Sequence, residues 1–306
     1  MSSLLNRLDR APQHRAAFVA GDPESGYYND LRVELGTDDA AEARRRLQAF
    51  VSVRNQANHV TVAQLALGAW QMRAVDEAWL EVFADGAAWL ANALEDDGGL
   101  PYLFAMPHTY TINPPWYSAM AQGQAASVFV RAVLSLGDDS YIEAAERAIR
   151  PLTTDDSSIV VNTREGPVLQ EYPTEPASHV LNGWMFALWG LYDVAMLAGR
   201  AGRTAQEAHR AFLDGTATLA RRIDLYDAGL GWSRYDLYPH RLMHVASPFY
   251  HRLHVALLEA TADLADEAVL REKAAAWATT ADRLSLRAAA VARKAAFRVV
   301  YPRRRL

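Results

Sequence analysis

Apolar residues recur every three or four positions through eight segments of this chain, at 61–75, 77–94, 118–136, 140–151, 178–197, 204–221, 246–264 and 266–283. A helix satisfies that period with one continuous apolar face and a strand cannot. Short breaks between the members of each successive pair predict antiparallel helical hairpins. Between the second and third segments, residues 100–112 carry the aromatic and turn signals of a short strand or hairpin, beginning at Gly98-Gly99. A second insertion, 158–172, sets Ile159-Val160-Val161 and Val168-Leu169 around a polar turn at 162–166, and a third, 225–235, is built around Gly229 and Gly231. Each insertion follows an even-numbered segment and delivers the chain to the start of an odd-numbered one. A ring with the odd helices inside would bring those junctions to one rim. The expected fold is therefore mainly α, an α/α toroid (incomplete barrel) of about four helical hairpins with short β-hairpin insertions. The expected boundaries are an N-terminal extension packing on the toroid at 1–57, the toroid at 58–283 and a basic C-terminal tail at 284–306.

Composition narrows the classes of function. With 306 residues and 51% hydrophobic content the chain can bury a substantial core, and with no cysteine it has neither disulfides nor a thiolate metal site. A net charge of −5 argues against a nucleic-acid partner. The first twenty residues carry Arg7, Arg10 and Arg15 without the apolar core of a signal peptide, and no apolar run is long enough to span a bilayer. The expectation is a soluble, cytoplasmic chain. Its one basic segment holds Arg283, Arg287, Arg293, Lys294, Arg298, Arg303, Arg304 and Arg305 among Leu286, Val291, Phe297 and Val300. That segment reads either as a peripheral contact to an anionic membrane or as a solvated helix face. Lying beyond the last motif, it is expected to be dispensable for catalysis.

The segments that carry chemistry sit at the junctions. Trp116 and Tyr117 stand at the mouth of the third helix, followed by Gln122, Gly123 and Gln124, and an aromatic face there suits the apolar side of a pyranose. Gln122 and Gln124 diverge by about 200° on a helix, so one of the two is expected to be structural. Then come Gln170-Glu171-Tyr172-Pro173-Thr174-Glu175-Pro176, Val180-Leu181-Asn182-Gly183, Gly190-Leu191-Tyr192-Asp193, Tyr235-Asp236-Leu237 and Tyr250-His251-Arg252-Leu253-His254. Pro173 and Pro176 hold the Glu171 segment extended, and a Glu buried beside aromatic rings has its pKa raised toward neutrality. His179 and Asn182, three apart, are expected to share a helix face kept low by Gly183 and Gly190. His251 and His254 have the spacing of a metal pair, but no third ligand follows at a suitable distance, so no metal and no cofactor is expected.

In this order the segments resemble the carboxy-terminal domain of the D-glucuronyl C5-epimerases, across residues 58–270. The resemblance implies an α/α architecture, a homodimer, and a uronic-acid-containing polysaccharide or oligosaccharide as substrate. It implies removal of the C5 proton of a D-glucuronic acid unit and its return on the other face, giving L-iduronic acid in polymers such as heparosan or heparan sulfate. Glu171, Tyr172, Tyr235 and Tyr250 take the catalytic positions. Trp116, Tyr117, Gln122, Gln124, His179, Asn182, Arg234, His251 and His254 are the expected substrate-binding residues. A tyrosine that acts as base needs a cationic neighbour, and His251, His254, Arg234 and Arg252 are near enough in sequence to supply one. Odd helices starting at one rim would also aim their amino-terminal dipoles at a uronate carboxylate.

The chain departs from the family before the first hairpin. Asn58-His59-Val60-Thr61-Val62-Ala63-Gln64-Leu65 lacks two tyrosines and a proline of the family segment, although Tyr27-Tyr28-Asn29-Asp30 resembles its double-tyrosine entry. Tyr238 stands where animal members have an arginine. Three readings stay open: a C5-epimerase; a polysaccharide lyase or glycoside hydrolase, with Glu171, Glu175 and Asp236 as candidate carboxylates; and an inactive carbohydrate-binding relative.

Overall fold

The computed structural model describes residues 13–52, 58–106 and 109–302. The chain is mainly α. Among the described residues two helices precede the first expected hairpin, α1 (Arg32–Leu35) and α2 (Ala40–Val51). Four hairpins follow: α3 (His59–Met72) with α4 (Ala78–Ala93), α5 (Ala119–Leu136) with α6 (Ser140–Thr153), α7 (Leu181–Ala195) with α8 (Ala198–Arg222), and α9 (Pro248–Ala265) with α10 (Ala268–Ala281). A last helix, α11, runs over Leu284–Val300. The eight segments read from periodicity are all helices, each within a few residues of its expected ends except α8, which starts earlier.

Side-chain caps mark several of the starts. Asn58 Oδ1 accepts from the Val60 and Thr61 amides, Ser118 Oγ from Ala121, and Ser247 Oγ from Tyr250, with Pro248 opening α9. The members of each hairpin pack on one another, and successive odd helices pack together, α3 on α5, α5 on α7 and α7 on α9. The inner and outer helices differ as their sequences require. Every residue of α7 is buried, Leu181 through Ala195, whereas α6 buries only Ala144, Ala145, Ala148, Ile149 and Leu152 along one stripe. Close approach of α5 and α7 depends on glycine, since a Cβ on Gly190 would fall 2.3 Å from the Gly123 carbonyl oxygen.

The insertions differ in regularity. Residues 158–172 form the expected hairpin, with β1 (Val160–Thr163) antiparallel to β2 (Gly166–Leu169). Among the described residues of 100–112 no strand pairing is formed. Tyr102 instead exchanges backbone hydrogen bonds with Trp116, at 2.8 and 3.2 Å, so the strand signal marks a single bridge across the whole insertion. The third insertion turns at Gly229, Leu230 and Gly231, all at positive φ, between bridging partners Asp227 and Ser233.

Both flanking segments are packed. The Tyr28 hydroxyl donates to Asp193 on α7, and Arg131 on α5 pairs with Asp193 at 2.7 Å while donating to the Gly26 carbonyl. At the other end, α11 buries Phe297 and Ala290. Residues 284–300 of the expected tail are therefore a docked helix; Arg303, Arg304 and Arg305 lie outside the described residues. Among the described residues no helix is long and apolar enough to cross a membrane.

Candidate active site

The amino-terminal ends of α3, α5, α7 and α9 are linked by aromatic contacts and hydrogen bonds. The Tyr102 hydroxyl donates to Asn58, the cap of α3, and its ring stacks on Trp116, just before α5, with centroids 4.0 Å apart. Trp116 lies 5.9 Å from Tyr172, whose neighbour Glu171 is held by Asn182 in the first turn of α7. Tyr235, whose carbonyl accepts from the Leu181 amide, makes an edge-to-face contact with Tyr250 at the start of α9, at 4.9 Å. The sequence placed its motifs at these junctions, and the backbone brings the junctions together.

Glu171 sits at the centre of this cluster. It is 7% exposed, accepts from Asn182 Nδ2 at 3.3 Å, and is hydrogen-bonded by the Tyr172 hydroxyl. Burial raises its pKa to about 7, and the nearby Asp236 carboxylate pushes the same way, while the two hydrogen bonds oppose them. A carboxyl poised there can take or give a proton near neutrality. The expectation of a buried, neutral-range Glu171 describes what is found.

The tyrosines surrounding it are phenols. Burial holds Tyr172 and Tyr235 well above the ordinary tyrosine pKa, and the Glu171 carboxylate, joined by Asp236 for Tyr235, raises them further. For Tyr235 this corrects the expectation that His251, His254, Arg234 or Arg252 favours a phenolate. Arg252 is paired with Asp282 at 2.6 Å, and burial keeps both histidines neutral. The two tyrosines with raised pKa are hydrogen-bond donors and proton donors at rest.

A second carboxylate lies behind them. Asp236 is fully buried, its pKa raised to about 6 by desolvation against the pull of Tyr110, His240, Lys294 and Arg234. Its Oδ2 accepts from the Tyr110 hydroxyl and from His244 Nδ1 at 2.5 Å. Tyr110 in turn lies 5.8 Å from Tyr172 and 5.2 Å from Tyr238. Asp236, His240 and His244 bring potential metal-ligand atoms within 4.8 Å of one another. Lys294 Nζ lies 2.7 Å from His244 Nε2, which assigns the imidazole proton to Nδ1 and leaves Nε2 as acceptor. A metal would need the Nδ1 lone pair, so the arrangement fits a hydrogen-bonded chain better than a metal centre.

Several of the expected binding residues lie apart from this cluster or are engaged within the fold. Gln122 donates to the Gly98 and Ala148 carbonyls and accepts from the Leu100 amide, which consumes its carboxamide in anchoring the first insertion. Gln124 is fully buried beside Tyr27, away from the junction cluster. Both carboxamides are fully buried, because α5 is enclosed along most of its length. Tyr117 turns outward to Glu95, at 2.9 Å. His179 is not helical: it precedes α7 at φ 46°, with its amide donating to Gln170 Oε1 and its ring against Gln170 Nε2. It therefore shares no helix face with Asn182. His251 accepts from the Ser233 amide, contacts the Trp277 carbonyl and stacks on Trp232 at 4.0 Å, the role of a satisfied core histidine. His254 shares Ser233 Oγ with it; its ring centroid lies 6.4 Å from that of Tyr250, and its Nε2 has no hydrogen-bond partner among the described residues. Arg234 is half-buried near Asp236, while Glu175 is exposed. Trp116 and Asn182 do belong to the cluster.

Tyr102, Tyr110, His244 and Lys294 were not singled out for this site from sequence. The first two lie in the insertion already marked by its aromatic signals; His244 and Lys294 carry no local motif and are recruited only by packing of α11.

Residues 95–279 match the family described as D-glucuronyl C5-epimerase C-terminus. The chain is also 32% identical over 217 residues to the D-glucuronyl C5-epimerase of Caenorhabditis elegans, an alignment covering 64% of this chain and 34% of that protein. The chain belongs to the D-glucuronyl C5-epimerase family, and the match spans about a third of the length of the curated relative.

Proposed function

We propose that the protein is a uronic-acid C5-epimerase that converts D-glucuronic acid units of a polysaccharide into L-iduronic acid by proton removal and return at C5. The observation that carries this reading is Glu171, raised to about 7 and hydrogen-bonded by Tyr172 within a ring of phenols. The C5 proton is acidified only by its neighbouring carboxylate, on which charge builds as the proton leaves. Glu171 in its carboxylate form takes the proton from one face. The phenols of Tyr235 and Tyr172, kept protonated by burial and by their anionic neighbours, donate hydrogen bonds to the developing charge or return a proton to the opposite face. Tyr250, against Tyr235, completes that wall, and Trp116 and Asn182 fix Tyr172 and Glu171. The sequential packing of α3, α5, α7 and α9 supports an incomplete α/α ring with this site at one rim.

Incubation of the protein with an unsulfated or N-sulfated glucuronate polymer, followed by NMR of the product, tests the reading. Iduronate signals with unchanged chain length are expected. An ultraviolet-absorbing unsaturated uronate would instead identify a lyase, and an unchanged, bound polymer an inactive relative.

A further inference from the structure

The helix α11 lies beyond every motif, yet two of its side chains grip one histidine. Lys294 Nζ lies 2.7 Å from His244 Nε2, and the Phe297 ring stacks on the same imidazole at 4.0 Å with the planes 5° apart. On its other side His244 lies 4.9 Å from the Tyr235 ring, which carries the Lys294 ammonium 5.1 Å above it. His244 Nδ1 reaches Asp236 Oδ2 at 2.5 Å, and that oxygen also accepts from the Tyr110 hydroxyl. An ammonium has only donors, so Nε2 must be the acceptor and Nδ1 must carry the ring proton. The proton on Nδ1 then faces the carboxylate, leaving Asp236 an acceptor for Tyr110. Reversing the tautomer would set an N–H against the ammonium and a lone pair against the carboxylate.

We propose that Lys294 is a positioning residue for the reaction: through His244 and Asp236 it fixes the Tyr110 phenol in the wall of the substrate cleft. This rests on the epimerase reading for its kinetic consequence but not for the hydrogen-bond chain itself. The helix α11 is then part of the site's support, contrary to the expected dispensability of the basic segment. A buried chain of this kind is worth more than its separate bonds, because each donor sets the orientation of the next acceptor.

Two experiments separate the proposal from the activity it supports. Nitrogen-15 NMR of the imidazoles in the wild-type protein needs no substrate. A single neutral Nδ1–H tautomer is expected for His244; an Nε2–H tautomer or an imidazolium would overturn the chain whether or not the protein is an epimerase. Kinetics on a glucuronate polymer supply the second. Lys294→Met is expected to lower kcat by about 10- to 100-fold with KM nearly unchanged, as for a catalytic wall displaced by a fraction of an ångström. In a Tyr110→Phe background the same change should cost little more, since both act on one chain. A loss in Lys294→Met that adds in full to that of Tyr110→Phe, or a wild-type kcat in a folded Lys294→Met, would overturn the role. If no variant and no wild type turns over any glucuronate polymer, the epimerase reading fails while the NMR result still decides the chain.

Discussion

Gly183 and Glu171 share one volume: a Cβ added to Gly183 would lie 2.4 Å from the Glu171 Cβ and 2.5 Å from its Oε2. The absent side chain in the first turn of α7 is what lets Glu171 fold back against Asn182. The first of these clashes involves a Cβ fixed by its own backbone, so side-chain rotation alone does not relieve it.

Gly183→Ala is therefore expected to push Glu171 out of place. Overpacking of this kind typically costs about 1–3 kcal/mol, and a displaced acid/base group should lower turnover by at least about 10-fold. Thermal denaturation and a rate assay check the two effects separately. A variant with wild-type turnover would show that Glu171 does not need this seat.

The pH dependence of stability follows from the same burial. Glu171 and Asp236 are raised from 4.5 and 3.8 to about 7 and about 6, so the folded chain binds both protons more tightly than the unfolded one. Their favourable contribution is full below the unfolded values and is lost as pH rises through 6 and 7. Glu171→Gln removes the titrating carboxyl while keeping its shape. The variant should gain on the wild type between about pH 5 and about pH 8, by an amount on the order of 3 kcal/mol at most. Denaturant unfolding at the two pH values measures this, and an unchanged difference would contradict a buried Glu171 titrating near neutrality.

Away from the site, Arg131 and Asp193 form a fully buried ion pair that also binds Tyr28 and the Gly26 carbonyl. Arg131→Met leaves the Asp193 carboxylate without its cation in the interior, for which a loss of about 3–5 kcal/mol is expected. The midpoint of chemical denaturation reports it. A loss below about 1 kcal/mol, the range of exposed pairs, would mean that the pair does not join the N-terminal segment to α5 and α7.

Helical period and junction placement were readable because burial writes them directly into the chain. All eight core helices and the hairpin at 158–172 were visible, and Glu171 with Tyr172, Tyr235 and Tyr250 does assemble in one place. Side-chain direction was much less legible. Gln122 has the residue type of a sugar ligand, but its partners Gly98, Leu100 and Ala148 are distant in sequence. His179 looked helical because the apolar period continues through it, while its backbone turns at positive φ before the helix begins. Tyr238 packs against Tyr110 and His240, so the position that departs from animal relatives extends the aromatic wall. Lys294 was unreadable because nothing local marks a basic residue on a terminal helix as facing inward.

The central claim is proton exchange at C5 through Glu171. Wild-type protein and Glu171→Gln are incubated with a glucuronate polymer in heavy water, and deuterium at C5 is read by NMR or mass spectrometry. The account predicts deuterium at C5 with both glucuronic and iduronic units in unbroken chains. It also predicts exchange slower by at least about 100-fold in the folded variant, the scale of a lost acid/base group. No exchange on any uronate polymer by a folded wild-type protein that binds it, or equal exchange in Glu171→Gln, would contradict it.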